Sequence, residues 1–439
     1  MIKSQIISVL DKYPTIALAV SGGMDSMAML EWFRQNRPKE SFLIVNIDHH
    51  IRGAESERDS KFVSDYAKKH GINIKKYDVD CIPFAKEKGY TLEQAARILR
   101  HKIFEEVAFK YANVIATAHH SLDQAESVFM HIARGAGING LAGMSVEDGY
   151  IIRPLLMTSK QEIIDYVKAY NIDYCTDSTN SENNYSRNFM RNVVMPEIKK
   201  HYPTFDNNLI KLSQRAKEIA DFIDINTPAL TLEYGGVFCD IQNKHNVIKA
   251  EMIRRAFSLL GVCVDIEERH IKSIIEFATS CKTGSIDMPY DTIVYKENNN
   301  IVIAKKTDYD IKTYRFSQGF YEFCGFELQV QKVDYKAFSN KNHCDNGIEK
   351  ELFICTDNLS GLEIRQRKQG DRIDKFGGGS KSLGDFLTDK KVPLRLRDRL
   401  PVIANGNQVI CVCGVEIAEQ AKVTDKSKEI YKINLKSID

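Results

Sequence analysis

"IALAVSGGMDSMAML", residues 16–30, decides how this chain is read. Ile16 to Val20 is an apolar run of buried-strand length, and a second apolar run resumes within a few residues at Met27. Between them stand Ser21, Gly22, Gly23, Met24, Asp25 and Ser26. Glycines let the backbone turn sharply with its N–H groups facing inward, and a helix that starts there presents partial positive charge. One reading is a tight turn with Asp25 or Ser26 as helix N-cap. The other is a seat for an anion such as phosphate. The stretch lacks the spacing and the lysine of a Walker loop, and it is not a GxGxxG turn.

Working outward, short apolar runs at 16–20, 42–47, 72–79 and 113–117 alternate with stretches of helical period at 55–70 and 91–111. That alternation predicts an α/β fold with a doubly wound, mainly parallel sheet. Ligands of such sheets bind outside the carboxyl ends of the strands. Three strand ends here carry polar residues: Ser21 to Ser26, Asp48-His49-His50-Ile51-Arg52, and His119-His120 running on to Ser127. The polar stretch 171–190 reads as a loop, 205–285 as mainly helical, and the remainder as β-rich with glycine turns. The expected domains are 1–204, a helical middle at 205–345, and a smaller α+β domain at 350–439 behind a linker at 334–350.

Composition sets wide bounds. The 439 residues carry 61 Lys and Arg against 59 Asp and Glu, so the net charge of +2 excludes no class of partner. Ten cysteines contain no CxxC pair, which argues against a zinc site and for reduced thiols in a cytoplasmic protein. Cys411 and Cys413 alternate along VICVCGV as on one face of a strand. The first residues, MIKSQIISVLDKYP, meet a charge too early for a signal peptide or a membrane anchor.

SGGMDS resembles the pyrophosphate loop of the ATP pyrophosphatase (PP-loop) superfamily, whose members adenylate a substrate and release pyrophosphate. Further stretches resemble, in family order, the tRNA(Ile)-lysidine synthetases. These are His49 with Arg52; Glu93-Gln94-Ala95-Ala96-Arg97 with Arg100; Ala118 to Ser127; Arg134-Gly135-Ala136-Gly137 with Gly140-Leu141; Arg153-Pro154-Leu155-Leu156; Asp177 to Asn180; and Arg187-Asn188-Phe189-Met190-Arg191. QGDRIDKFGG with DFLTDKKVPLRLRDRLPVI is similar to that family's last domain. Departures are Leu122 for the first aspartate of "DDQ", Ser127 for threonine, His101 for tyrosine, and Ser382 and Gly384 where lysines are common.

The resemblance implies ATP and Mg²⁺ as cofactors, and L-lysine and a CAU-anticodon tRNA(Ile) as partners, with no membrane and room for a homodimer. It implies that Ser21 to Ser26, His49, Arg97 and Arg100 hold ATP. Arg97 and Arg100 also share a helix face with His101. Asp123 and Glu126, three apart at a helix start, are suited to Mg²⁺ or to the lysine ammonium. Asp25, Asp123, Glu126, His119 and His120 form the catalytic candidates, with Asp25 and Asp123 as metal ligands. Ser121 and Gln124 fit a capping box. The adjacent histidine pairs are poor chelators, because neighbouring side chains diverge on an extended segment. Arg52, Arg134, Arg187 and Arg191 fall to substrate or tRNA. Between 361 and 399 eleven Lys or Arg face six acids, so Arg372, Lys381 and Arg395 are assigned to RNA backbone. A tRNA thiolase of the same superfamily is the alternative, opposed by the two unpaired cysteines of the N-terminal half, Cys81 and Cys175. A third class is a nucleotide- or RNA-binding protein without chemistry, which Leu122 would favour.

Overall fold

A computed structural model describes residues 1–49, 53–176, 186–262, 266–280, 284–297, 300–307, 310–339, 351–357 and 360–438. They form two compact units, Met1–Phe222 and Ile223–Asp439. The first is built on a six-stranded sheet of β1 (Ile16–Ala19), β2 (Phe42–Asp48), β3 (Ile74–Asp78), β4 (Val114–Ala116), β5 (Glu147–Asp148) and β6 (Ile151–Ile152). Its order is β3-β2-β1-β4-β6-β5, parallel except for the edge strand β5. The order therefore reverses between β1 and β4, the crevice where doubly wound sheets bind ligands.

β1 is apolar throughout because both of its faces are covered. Leu18 packs into one core with α1 (Ser4–Leu10), α2 (Met24–Asn36), α3 (Ala54–His70) and α8 (Lys160–Ala169). Ala17 packs into the opposite core, against Phe104 and Val107 of α5 (Leu92–Lys110). α4 (Cys81–Lys88) precedes α5, and α6 (Ser121–Ala133) and α7 (Ile138–Leu141) follow β4. After α8 come α9 (Ser186–Phe189), one π-helical turn (Met190–Val194), α10 (Met195–His201) and α11 (Phe205–Asn226). Ala125 and Val128 of α6, Met195 and Leu209 share a buried cluster that returns these last helices to α6.

The second unit starts with the antiparallel sheet β7 (Thr231–Glu233), β8 (Gly236–Cys239), β9 (Gly284–Met288), β10 (Thr292–Glu297) and β11 (Asn300–Lys305). α12 (Asn246–Leu259) and α13 (Glu268–Thr279) cover it through Ile253, Phe257, Ile271 and Ile274. β13 (Gly319–Phe323), β14 (Phe326–Val333), β15 (Leu352–Cys355) and β22 (Ile430–Ser437) make a four-stranded sheet. A seven-stranded sheet takes β12 (Thr313–Arg315), β16 (Glu363–Gln366), β17 (Arg372–Asp374), β18 (Ser380–Ser382), β19 (Pro401–Asn405), β20 (Gln408–Val412) and β21 (Glu416–Ile417). α14 (Tyr335–Ser339) and α15 (Leu383–Asp389) complete the unit. Cys411 and Cys413 are buried together in its core.

The domain borders fall elsewhere than the sequence suggested. α11 packs by Leu209 against α6, so most of it belongs with the first unit. The described residues of 205–345 carry eight strands beside their helices. β12 and β14 pair across long range, Thr313 with Arg365 and Val330 with Ile433, so the C-terminal sheets begin well before residue 350. Such pairing leaves no local mark in a sequence. Residues 340–350 of the expected linker lie outside the described residues.

Candidate active site

The turn after β1 is built as an open helix start. Gly22 sits at φ +90°, which L side chains rarely adopt, and its carbonyl accepts a hydrogen bond of 2.9 Å from the Cys175 amide. Gly23, not Asp25 or Ser26, is the N-cap of α2, and no side chain caps it. The Ser26 hydroxyl instead donates to the Gly23 carbonyl at 2.9 Å and accepts from the Ser21 amide at 3.3 Å. Met24 packs on the apolar core, leaving its backbone to the loop. The first amides of a 13-residue helix are thus left without a side-chain cap, the arrangement that favours phosphate oxygens.

Two other helices begin at the same place. Asp25 in the first turn of α2 meets Lys160, the first residue of α8, with Nζ 2.5 Å from Oδ1. The other oxygen of Asp25 is 3.8 Å from Nε2 of His120, the N-cap of α6. His120 Nδ1 accepts from the Leu122 amide at 3.2 Å, so the ring proton sits on Nε2, facing Asp25 and, at 3.5 Å, Asp123. Burial pushes the His120 imidazole below its ordinary value, against the pull of Asp123 and Asp25. It is a neutral donor.

The capping box at this start is His120 with Asp123, whose carboxylate accepts from the His120 amide at 2.9 Å. The expected Ser121–Gln124 pair is not the cap, because the helix starts one residue earlier. Gln124 reaches across to hold the carbonyls of Ala142 and Met144 and the amide of Met144. Leu122, at the family's aspartate position, packs against the Ala125–Leu209 cluster, a structural reason for that departure.

Asp123 and Glu126 are buried, Glu126 completely, and two arginines, Arg187 of α9 and Arg191 of the π-helical turn, cover them. Arg187 donates to Glu126 at 3.1 Å and to Asp123 at 3.2 Å. Arg191 donates through Nη2 to both at 2.8 Å, and through Nε to Glu126 as well. Burial raises the Asp123 carboxyl, but His120, Arg187 and the His120 amide outweigh it and hold the group below its usual range. Asp123 is therefore spent on guanidinium and amide donors, and its assignment as a metal ligand is not supported. Asp25, held by Lys160 on one oxygen and 3.8 Å from His120 on the other, is the more open carboxylate and could hold a metal.

His119 lies beside this cluster, with Nδ1 2.9 Å from Thr117 Oγ1. Burial takes its imidazole down to about 4; Asp123 opposes the shift while Arg187, Arg153 and Arg100 add to it. Protein crowding and the like charges of Arg97 and Arg187 also push Arg100 down, so these arginines form one cationic basin. His49 Nδ1 stands 3.5 Å from Cys81 Sγ at the end of β2. Arg52 and His50 lie outside the described residues.

The other expected RNA contacts are scattered. Arg134 is exposed at the C-cap of α6, more than ten residues and roughly 16 Å along the helix from Asp123. Arg372 is held on β18 by Ser380, and Lys381 pairs with Asp389. Arg395 is buried and corrects the sequence reading: it pairs with Glu297 at 3.0 Å and donates to the carbonyls of Glu233 and Tyr234. Its charge is used inside the fold, where β7, the β7–β8 turn and β10, all distant in sequence, supply the partners.

Sequence reasoning missed Lys160. The signal present was the Ser159–Glu162 capping box, which places Lys160 at a helix start.

Known proteins match this chain over its whole length. Residues 2–198 match the family model described as a PP-loop domain, and 362–435 match the TilS substrate C-terminal domain. The tRNA(Ile)-lysidine synthase of Clostridioides difficile is 31% identical over 471 residues, covering 100% of both chains. That of Bacillus subtilis is 30% identical, covering 92% of this chain and 90% of its own. That of Caldanaerobacter subterraneus is 28% identical over 97% and 94%. Matched over its full length by a relative 31% identical, and by the TilS substrate C-terminal domain at 362–435, this chain belongs to the tRNA(Ile)-lysidine synthase family.

Proposed function

We propose that this chain joins free L-lysine to C2 of the wobble cytidine of a CAU-anticodon tRNA(Ile), changing its codon from AUG to AUA. ATP is consumed and AMP and pyrophosphate are released, so the enzyme is a ligase forming a C–N bond. In the first step the C2 oxygen of the cytidine attacks the α-phosphate of ATP. Amides at the start of α2 are suited to hold the departing pyrophosphate. Asp25 is the residue that would hold a Mg²⁺ ion, which would supply charge neutralisation there when bound. In the second step the lysine ε-amine attacks C2 and AMP leaves. Asp123 and Glu126, now paired with Arg187 and Arg191, would take the lysine ammonium in exchange for one of these guanidinium groups. The amine must lose a proton before it attacks, and His119, His120, Asp123 and Glu126 are the groups of this cluster suited to accept it.

The observation that carries this reading is the juxtaposition, through His120, of the open α2 start with the buried carboxylate pair. One is suited to a polyanion, the other to a cation. The end-to-end family match speaks against the thiolase alternative, as does the lack of a CxxC pair. Purified protein given ATP, Mg²⁺, lysine and a CAU-anticodon transcript is expected to release pyrophosphate only when the RNA is present. Release that ignores the RNA, or none from folded protein, overturns the proposal. With no helix among the described residues long and apolar enough to span a membrane, a cytoplasmic setting is the one this substrate implies.

A further inference from the structure

The glycine loop lacks the lysine of a Walker loop, yet the fold brings one to it from 135 residues away. The geometry points to Lys160 as the phosphate-binding cation of this site: it neutralises Asp25 in the free protein and passes to the polyphosphate of ATP on binding. The inference rests on the ATP-dependent reading above. Three features carry it.

The first is place. Lys160 is the first residue of α8, and its ammonium sits where the starts of α2, α6 and α8 meet, next to Asp25 and within the field of His120. Three helix starts form one positive pole with Lys160 and Asp25 paired at its centre, so an incoming polyanion meets a surplus of positive charge. The second is rigidity. The Ser159 amide donates to Glu162 at 2.8 Å, and the Glu162 amide returns a bond to Ser159 at 3.2 Å. The Ser121 amide donates to the carbonyl of fully buried Thr158 at 3.0 Å, which ties the start of α8 to that of α6. The third is availability. Glu162, the acid of its own first turn, is taken by Lys3, so Asp25 is the partner Lys160 has. The Lys160 and Asp25 side chains are 35% and 32% exposed, open enough for an incoming phosphate to compete for the ammonium.

The test is titration of the whole protein with inorganic pyrophosphate and with ATP, across wild type, Lys160→Met, Asp25→Asn and the double variant. Lys160→Met is expected to weaken pyrophosphate and ATP binding about 10- to 100-fold, the range of one charge-assisted bond. Lys160→Arg keeps the charge and is expected to stay within about 3-fold of wild type. In the Asp25→Asn background, the same loss on adding Lys160→Met shows direct contact with phosphate. No added loss there means that Lys160 only screens Asp25, and overturns the inference. A change below about twofold in either background overturns it too. Because the titration needs no RNA, wild type that binds pyrophosphate through Lys160 but makes no lysidine would sink the functional reading and leave this inference standing.

Discussion

Arg187 and Arg191 in the first unit, and Arg365, Arg395 and Arg399 in the second, all end on oxygen, but the second set is buried and holds backbone carbonyls as well as carboxylates. The first pair rests on the carboxylates of Asp123 and Glu126, and about a third of each arginine side chain stays open to solvent. The second set is sunk into the fold. Arg365 holds Asp371 through two bonds of 2.9 Å and also donates to the carbonyls of Gln366 and Gly406. Arg399 donates to the carbonyls of Cys324 and Tyr234. A carboxylate freed of one cation can take another, whereas a backbone carbonyl freed inside a core has nothing to take. The same residue type thus marks a binding place in one unit and a structural pin in the other.

Breaking the pins is expected to give the largest effect. Arg365→Ala leaves Asp371 buried without its partner and should lower the stability of the second unit by about 3–5 kcal/mol, read by denaturant unfolding. A loss under about 1 kcal/mol would erase the contrast. Glu126→Gln tests the other side. It removes one of two charges under the arginines and should cost about 2 kcal/mol of stability. It should also raise KM for lysine about 10-fold with KM for ATP unchanged; an equal rise in both would mean that the pair does not select the ammonium.

Next in size is a pH effect. The folded pKa of His119 is depressed from 6.5 to about 4, so the folded chain refuses a proton that the unfolded chain accepts. Its contribution to stability is present above about pH 6.5 and declines as pH falls toward 4, by roughly 1 kcal/mol per unit. His119→Gln should flatten that slope in thermal melts, and an unchanged slope would place the titration elsewhere. Smallest is Lys381→Ala. Lys381 pairs at the surface with Asp389, so RNA affinity should fall about twofold and the salt dependence by about one ion.

The parts legible in the sequence were those with local causes. β1, β2 and β4 are apolar because two helical layers cover them, and their runs at 16–20, 42–47 and 113–117 match Ile16–Ala19, Phe42–Asp48 and Val114–Ala116. Gly22 announced a backbone that needs glycine. What stayed hidden depends on partners far along the chain. Nothing near Lys160 names Asp25, and nothing near Arg395 names Glu297. Thr313 finds Arg365 only once the second unit has folded. The cap at α6 was misplaced by one residue because a histidine, an uncommon N-cap, stands where Ser121 fits the usual pattern.

The central claim is that this site attaches lysine to one cytidine, and the mass of the RNA tests it most directly. A CAU-anticodon tRNA(Ile) transcript incubated with the protein, ATP, Mg²⁺ and lysine, then digested and weighed, should carry one lysine, less water, on the wobble cytidine. Asp25→Ala, by removing the loop carboxylate, should lower that yield about 10²- to 10³-fold. An unmodified cytidine after incubation with folded wild-type protein would contradict the account.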